Sequence, residues 1–224
     1  MFDLDGTLIE SEQIWRDVRH EFVVANGGRW KPDAAAAMIG MRTDEWARYM
    51  HDELGAAPAP SEIAKRVVES VAGRLKTPPV LPGADAALRR LASEFTLGLA
   101  SSAAVEVAQT VLAATGWDSL FAVVVSADEV PRGKPEPDVY LLALELLDAD
   151  PSQTAAVEDS ANGIRSAYAA RIAVVAIPNR AFPPEAEALS LASRVVANLD
   201  DLNAALVREV LRSSSSSGGS ATDA

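Results

Sequence analysis

The chain has 224 residues, which fits one core domain with a smaller inserted unit, and 49% of them are hydrophobic, enough to bury a core. Its formal net charge of -12 argues against a nucleic-acid or anionic-membrane surface, because both need clustered Lys and Arg. The absence of cysteine excludes a disulfide framework and a thiolate metal site. With no apolar run of membrane-spanning length and no leader pattern in residues 1–7, we expect a soluble, cytoplasmic protein.

Strand patterns alternate with helical patterns along most of the chain. Runs rich in Val, Ile and Leu predict buried strands at residues 1–4, 95–100, 121–125, 154–157 and 172–177, with a weaker sixth at 195–197. Helical periodicity falls between them at residues 84–94, 105–115, 138–147, 162–170 and 201–211. This alternation predicts an α/β fold with a doubly wound parallel sheet, a Rossmann-like core.

One long segment breaks the alternation. Residues 10–81 contain no strand pattern and three helical ones, at 12–25, 43–54 and 61–75, which predicts a helical insert. The core is then residues 1–9 and 82–212, and the Ser/Gly-rich residues 213–224 form a tail that we expect to be disordered. Residues 1–4 are shorter than an ordinary strand of about five to six residues, which indicates a first strand cut short upstream.

Polar side chains follow the predicted strands of the core. In an open parallel sheet, ligands bind at the carboxyl ends of the strands, near the point where the strand order reverses. Acids, hydroxyls and one lysine from distant segments are therefore expected to meet at this edge. They are Asp3 and Asp5, Ser101 and Ser102, Lys134, and Glu158 with Asp159.

The segment Asp3-Leu4-Asp5-Gly6-Thr7 carries the chemistry that is easiest to interpret. Its two aspartates are spaced so that they project to the same side of a strand. A carboxylate that attacks a phosphoryl group is repelled by it, so a cation must lie between them, and Asp3 with Asp159 can hold Mg²⁺. Asp5 can protonate a leaving alkoxide and later deprotonate water. A plain turn after a strand is the alternative interpretation of this segment alone.

The other strand ends have two interpretations each. Ser101 and Ser102 open a helix, where serine is an ordinary N-cap but where hydroxyl and N–H groups also bind phosphate. Lys134 is held between a glycine and a proline, which favours a fixed position over the solvated charge that a lone lysine usually is. Glu158 and Asp159 can be acids that decorate a helix N-terminus, but two adjacent acids at a buried strand end are costly without a cation.

Four segments together resemble the four motifs of the haloacid dehalogenase-like hydrolase superfamily, in the same order and over about residues 1–211. The segments are Phe2-Asp3-Leu4-Asp5-Gly6-Thr7-Leu8, Leu99-Ala100-Ser101-Ser102, Gly133-Lys134-Pro135-Glu136-Pro137-Asp138 and Val157-Glu158-Asp159-Ser160-Ala161-Asn162-Gly163.

The resemblance implies a role for each of these residues. Asp3 would form an aspartyl-phosphate, and Asp5 would act as general acid and base while its backbone carbonyl contacts Mg²⁺. Ser101 and Lys134 would hold the phosphoryl oxygens. Asp159 would ligate Mg²⁺, with Glu158 as a further ligand or as a partner of one. True haloacid dehalogenases lack an acid at the position of Asp5, so its presence favours phosphoryl chemistry.

The helical insert resembles the cap of the subfamily I branch that contains β-phosphoglucomutase, phosphoglycolate phosphatase and small sugar phosphatases. Within Gly40-Met41-Arg42-Thr43-Asp44, the resemblance makes Arg42 a substrate-specificity contact, although an exposed arginine at a helix start explains it equally well. Mutase-type members carry a histidine where this chain has Trp15, which favours a phosphatase. Trp15 is a second specificity candidate, with cap core as the alternative.

The sequence therefore predicts a Mg²⁺-dependent phosphatase that hydrolyses small phosphorylated metabolites through an aspartyl-phosphate. We expect a monomer that binds neither nucleic acid nor membranes. A β-phosphoglucomutase-like mutase is the alternative activity, and a non-catalytic binding protein on the same scaffold is the third hypothesis.

Overall fold

Short parallel strands form the centre of the computed structural model, which describes residues 1–179 and 183–217, with side chains up to residue 213. The strands are β1 Leu97–Ser101, β2 Phe121–Ser126, β3 Ala155–Glu158, β4 Ala173–Ala176 and β5 Arg194–Val195. β1 pairs with β2, and β3 pairs with β4, which pairs with β5, all in parallel. β5 corresponds to the weak sixth strand predicted at residues 195–197, but it begins one residue earlier and ends two residues earlier.

The first residues of the chain join these two groups of strands. On one side the Phe2 N–H donates to the Gly98 carbonyl (2.8 Å) and the Ala100 N–H donates to the Phe2 carbonyl (2.9 Å). On the other side the Asp3 N–H donates to the Val157 carbonyl (3.1 Å). The order is therefore β2, β1, residues 1–3, β3, β4, β5, and Asp3 ends the central segment where the order reverses. Residues 1–3 pair as isolated bridges and not as the predicted four-residue strand.

The predicted insert contains helices and, in the described residues, no β-strand. The helices are α1 Glu12–Ala25, α2 Ala34–Ala37, α3 Thr43–Asp52 and α4 Pro60–Arg74. α1 and α3 both pack on α4, and α4 also contacts helix Val105–Thr115 of the core. The side chains between them belong to the same hydrophobic cluster as Phe2 and Leu99 of the sheet. Cap and core therefore share one apolar interior that holds the cap above the strand ends.

The remaining helices cover the sheet. They are α5 Ala84–Ala92, α6 Val105–Thr115, α7 Asp138–Leu147, α8 Ala161–Ala169, α9 Ala186–Leu189 and α10 Ala204–Ser217. Among the described residues, none of the helices has the length and hydrophobicity that crossing a bilayer demands.

The sequence predicts a disordered tail from residue 213, but α10 continues to Ser217. The prediction is therefore wrong for residues 213–217. The Ser213 hydroxyl donates to the Glu209 carbonyl one turn earlier (3.0 Å), an arrangement that lets a serine remain in a helix. The rest of the predicted tail, residues 218–224, lies outside the described residues.

Candidate active site

A cavity of about 70 Å³ lies between the cap and the carboxyl ends of the strands. The structure brings five of the predicted site residues to its wall: Asp3, Asp5, Ser102, Lys134 and Asp159. Cap residues close it from the other side. They are Glu12, Ile39 and Gly40.

Lys134 is the centre of the charged network. Its Nζ donates to Asp3 Oδ1 (2.6 Å), to Glu158 Oε1 (2.6 Å) and to the Ala100 carbonyl (3.0 Å). Burial alone would lower the pKa of Lys134, but the nearby charges of Asp3 and Glu158 raise it above its ordinary value. Burial raises the pKa of Asp3 well above its ordinary value, against the attraction of Lys134. Lys134 is thus a permanent cation that holds one oxygen of Asp3.

Glu158 is fully buried, and its two oxygens have different surroundings. Oε1 accepts from Lys134 and from the Tyr140 hydroxyl (2.6 Å), while Oε2 has no hydrogen-bond partner. A Cβ atom built on Gly163 would lie 1.8 Å from Oε2, so only glycine fits at this first turn of α8. Tyr140 is absent from the predicted site residues, because nothing in the sequence shows that this face of α7 meets a carboxylate.

Asp159 lies against the turn that follows Asp5. The Thr7 hydroxyl donates to Asp159 Oδ1 (3.2 Å), and a Cβ on Gly6 would lie 2.1 Å from Oδ2. Gly6 has φ +86°, so the turn needs glycine both for its backbone angle and for the space that Asp159 occupies. Burial, with repulsion from Glu158, raises the pKa of Asp159 to about 8.

Asp5 faces the cap. Its Oδ1 accepts from the Ser11 hydroxyl and from the Trp15 indole N–H (3.1 Å). Burial raises the pKa of Asp5, and these two hydrogen bonds oppose that shift. Trp15 therefore does more than fill the core of the cap, because its indole N–H holds the carboxylate of Asp5. Its ring also packs edge-on against Trp46, with 6.1 Å between the ring centres.

Ser101 and Arg42, predicted contacts of the substrate, lie away from the cavity wall. Ser101 is fully buried, and its hydroxyl oxygen accepts from the Ala103 N–H (3.0 Å), while Ser102 lines the cavity. Arg42 precedes α3 and donates to the Pro131 carbonyl, so it connects the cap to the loop that carries Lys134. It does not line the cavity in this arrangement.

Two charged residues of α1 that are not among the predicted site residues face the same region. Burial raises the pKa of Glu12 to about 7, with a further contribution from Asp5. Burial lowers the pKa of Arg19 to about 10, so it stays charged at neutral pH. Its guanidinium lies 4.6 Å from the Trp15 ring centre and 4.9 Å from that of Trp46. The spacing of four between positions 15 and 19, one helical turn, places the two side chains on the same face of α1 but does not show that either is buried.

The acids at the strand ends suit a hard divalent cation. Asp3, Glu158 and Asp159 are buried, and each offers a carboxylate oxygen within 4.8 Å of the others. Lys134 alone forms an ion pair with members of this cluster in the described part of the chain, so negative charge is in excess. Burial raises the pKa values of Asp3 and Asp159, a condition that a bound Mg²⁺ would relieve, and the donor set fits that ion.

Comparison with known proteins agrees with this geometry. The family model described as "Haloacid dehalogenase-like hydrolase" matches residues 1–177. The chain is 31% identical over 194 residues to hexitol phosphatase B of Escherichia coli K12, covering 84% of each. It is 28% identical over 204 residues to the Arabidopsis thaliana bifunctional riboflavin kinase/FMN phosphatase, covering 90% of this chain but 53% of that protein.

A solved structure gives the same result. CbbY from Rhodobacter sphaeroides in complex with phosphate superposes with a TM-score of 0.81 and 26% identity, covering 92% of this chain and 97% of that one. The likeness spans cap and core together, which confirms the predicted α/β fold. The chain belongs to the haloacid dehalogenase-like hydrolases.

Proposed function

We propose that this chain is a Mg²⁺-dependent phosphatase that hydrolyses monoesters of small phosphorylated metabolites through an aspartyl-phosphate on Asp3. The observation that carries the proposal is the pairing at the central strand end. Asp3 is fixed by Lys134, and Asp5 lines the same small cavity under the cap. The similarity to hexitol phosphatase B and to the FMN phosphatase supports phosphate monoesters as the substrate class.

Asp3, Asp159 and the backbone carbonyl of Asp5 would hold the Mg²⁺, with Glu158 as a further ligand. The ion would supply positive charge that lowers the repulsion between the Asp3 carboxylate and the phosphoryl oxygens. Lys134 contributes a second positive charge, which the contacts with Asp3 and Glu158 keep in place.

Asp3 is the nucleophile in this proposal. Lys134 holds Oδ1, so Oδ2 attacks phosphorus, and the bond between phosphorus and the ester oxygen breaks. Asp5 gives its proton to the leaving alkoxide, a role that its raised pKa favours. Water then attacks the phosphorus of the aspartyl-phosphate, Asp5 takes the proton of that water, and orthophosphate leaves with Asp3 restored.

The cap positions the proton donor. Ser11 and Trp15, which hold the Asp5 carboxylate, lie at the start of α1. A cap that opens to admit substrate therefore moves these donors relative to the core, and closure restores them while it excludes bulk water. The indole of Trp15 fills the position next to the proton donor where mutase-type members carry histidine. This difference supports hydrolysis over mutase activity.

A substrate screen tests the proposal. Hexitol phosphates, sugar phosphates, FMN and β-glucose 1-phosphate are offered with Mg²⁺ or with EDTA, and orthophosphate is measured. We expect at least one compound to reach a kcat/KM of about 10⁴ M⁻¹s⁻¹ with Mg²⁺ and to lose nearly all turnover with EDTA. Conversion of β-glucose 1-phosphate to the 6-phosphate without free phosphate would instead establish a mutase. Undiminished turnover in EDTA would refute the metal requirement.

The metal site also predicts a pH dependence of stability. Without metal, folded Asp159 keeps its proton up to about pH 8, whereas the unfolded chain releases it near the ordinary pKa of 3.8. The folded state binds more protons in this interval, so this group makes the stability fall as the pH rises from about 4 to about 8. Mg²⁺ needs the ionised carboxylate, so it should stabilise more as the pH rises.

We therefore expect Mg²⁺ to raise the Tm by several degrees at pH 8 and by much less at pH 5, relative to EDTA. Thermal melts at both pH values measure this. An Asp159→Asn variant is the control and should lose most of the Mg²⁺ effect. An equal rise in Tm at the two pH values would contradict this assignment of the metal site.

A further inference from the structure

A second cavity, of about 50 Å³, lies next to the first, toward the cap. It shares Asp5, Glu12 and Ser102 with the first cavity and reaches Arg19 on α1. The two cavities are therefore neighbours, and Arg19 is the cationic side chain that lines the second one.

The charge of Arg19 is buried and incompletely paired. The residue is 8% exposed, and its Nε has no hydrogen-bond partner. Within residues 1–179 and 183–213, no carboxylate oxygen lies within ion-pair distance of its guanidinium. Its close neighbours are the faces of Trp15 and Trp46, which attract a cation but cannot accept its N–H groups as a carboxylate does.

A purely structural role explains this arrangement poorly. Unlike Arg19, Arg48 and Arg74 of the cap form ion pairs, and their carboxylate partners lie at the surface. Arg19 is instead kept under two indole rings, beside a cavity that Asp5 also lines. Glu12 and Asp5 attract the Arg19 charge, but among the described residues neither forms an ion pair with it, so its Nε–H remains available to an anionic group of the substrate.

We propose that Arg19 binds a second anionic group of the substrate, so that the preferred substrate carries a carboxylate or a second phosphate besides the phosphoryl group that is transferred. This inference rests on the proposed phosphatase function and narrows its substrate class. A guanidinium suits both groups, because its N–H fork matches two oxygens of a carboxylate or a phosphate.

Glu12 and Asp5 also face this space, and both would repel an anion in their ionised forms. Asp5 is held by Ser11 and Trp15, which partly satisfy its charge. Glu12, whose pKa burial raises to about 7, can hold a proton near neutral pH and donate a hydrogen bond. The indole rings hold Arg19 in place before the substrate arrives, so its side chain loses little further freedom on binding.

Three matched substrates test the inference. Glycerol 1-phosphate has a neutral end, 3-phosphoglycerate has a carboxylate there, and glycerol 1,3-bisphosphate has a second phosphate. We expect the wild-type chain to prefer at least one doubly anionic compound to glycerol 1-phosphate by about tenfold or more in kcat/KM. Which of the two is preferred identifies the anionic group.

Arg19→Gln should reduce kcat/KM for the preferred doubly anionic compound by about 10- to 100-fold, mainly through KM, and change glycerol 1-phosphate by less than about threefold. Arg16→Gln, on the same helix with a half-exposed side chain, is the matched control and should change none of the three. If Arg19→Gln does not fold, Arg19→Lys gives the same selective loss in smaller measure.

The inference is overturned if the wild-type chain treats the three compounds alike, or if the variant loses kcat equally on all three. The phosphatase activity would stand in both cases. Absence of phosphate release from these compounds and from the whole screen would refute the proposed function, and the inference with it.

Discussion

An Asp3→Asn variant is expected to release phosphate at least about 10⁴-fold more slowly than the wild-type chain. The substitution keeps the shape of the side chain and an oxygen that can accept from Lys134, but the amide is not a nucleophile. It also removes one of the three buried carboxylates that could hold a metal ion at this strand end. The loss is therefore expected in the chemical step, measured as kcat for the best substrate of the screen.

Folding has to be separated from chemistry in this experiment. Burial raises the pKa of Asp3, so a neutral group in its place removes the cost of burying a charge and the repulsion from Glu158 and Asp159, which offsets the lost attraction of Lys134. The Tm in EDTA should therefore not fall by more than a few degrees. Asp118→Asn, an exposed substitution outside the site, is the matched control and should leave both kcat and Tm unchanged.

The aspartyl-phosphate intermediate can be measured directly in the wild-type chain and in the variant. Wild-type chain quenched in acid during turnover should carry one phosphoryl group on the peptide that contains Asp3, detected by mass spectrometry. The Asp3→Asn variant should carry none. Residual activity above about 1%, or a phosphoryl group on another residue, would assign the nucleophile elsewhere.

The sequence predicts the longer helices well because their apolar periodicity is long and regular. Three predicted helices, at residues 12–25, 105–115 and 138–147, have the observed bounds. Four-residue α2 and α9 are absent from the prediction, since so short a segment contains barely one helical turn of pattern. The pairing of Phe2 with both Leu99 and Val157 is also beyond sequence pattern, because the crossover connections decide which strands become neighbours.

The candidate site was predictable to the extent that strand ends converge. Asp3 lies near the end of a predicted strand, and Asp5, Lys134 and Asp159 follow predicted strands. The structure brings all four to one cavity. Arg42 shows the limit of this reasoning, because its side chain contacts the loop at residues 131–133. That contact depends on how cap and core meet, which no local pattern contains.

Arg19 and Tyr140 show a second limit. Both are functional candidates because of what surrounds them: a pair of indoles for the first and a buried carboxylate for the second. In sequence each is an ordinary member of an amphipathic helix. Burial of a charge without a partner can be recognised only after the three-dimensional packing is known.

A Gly163→Ala variant is expected to lose about 3 kcal/mol or more of folding stability and at least about 100-fold in kcat/KM. The added Cβ would lie 1.8 Å from Glu158 Oε2 and 2.1 Å from its carboxyl carbon, so Glu158 must move. Because Oε1 holds both Lys134 and Tyr140, the displacement reaches the lysine that fixes Asp3. Chemical denaturation measures the stability, and phosphate release measures the activity.

The chain offers a matched control in Gly73, an exposed glycine of α4 where an added Cβ would meet no atom within 4 Å beyond its own stretch of helix. Gly73→Ala should stabilise the fold by about 0.5–1 kcal/mol, because alanine favours helix where no clash opposes it. A loss of stability at position 163 and a gain at position 73 would show that space beside Glu158, and not helix propensity, decides the result at position 163. A double-mutant cycle sharpens this further: once Glu158→Ala has removed the clashing oxygen, adding Gly163→Ala should cost no further stability. Equal losses from Gly163→Ala in the two backgrounds would show that another contact of α8 requires the glycine, and that the carboxylate of Glu158 does not.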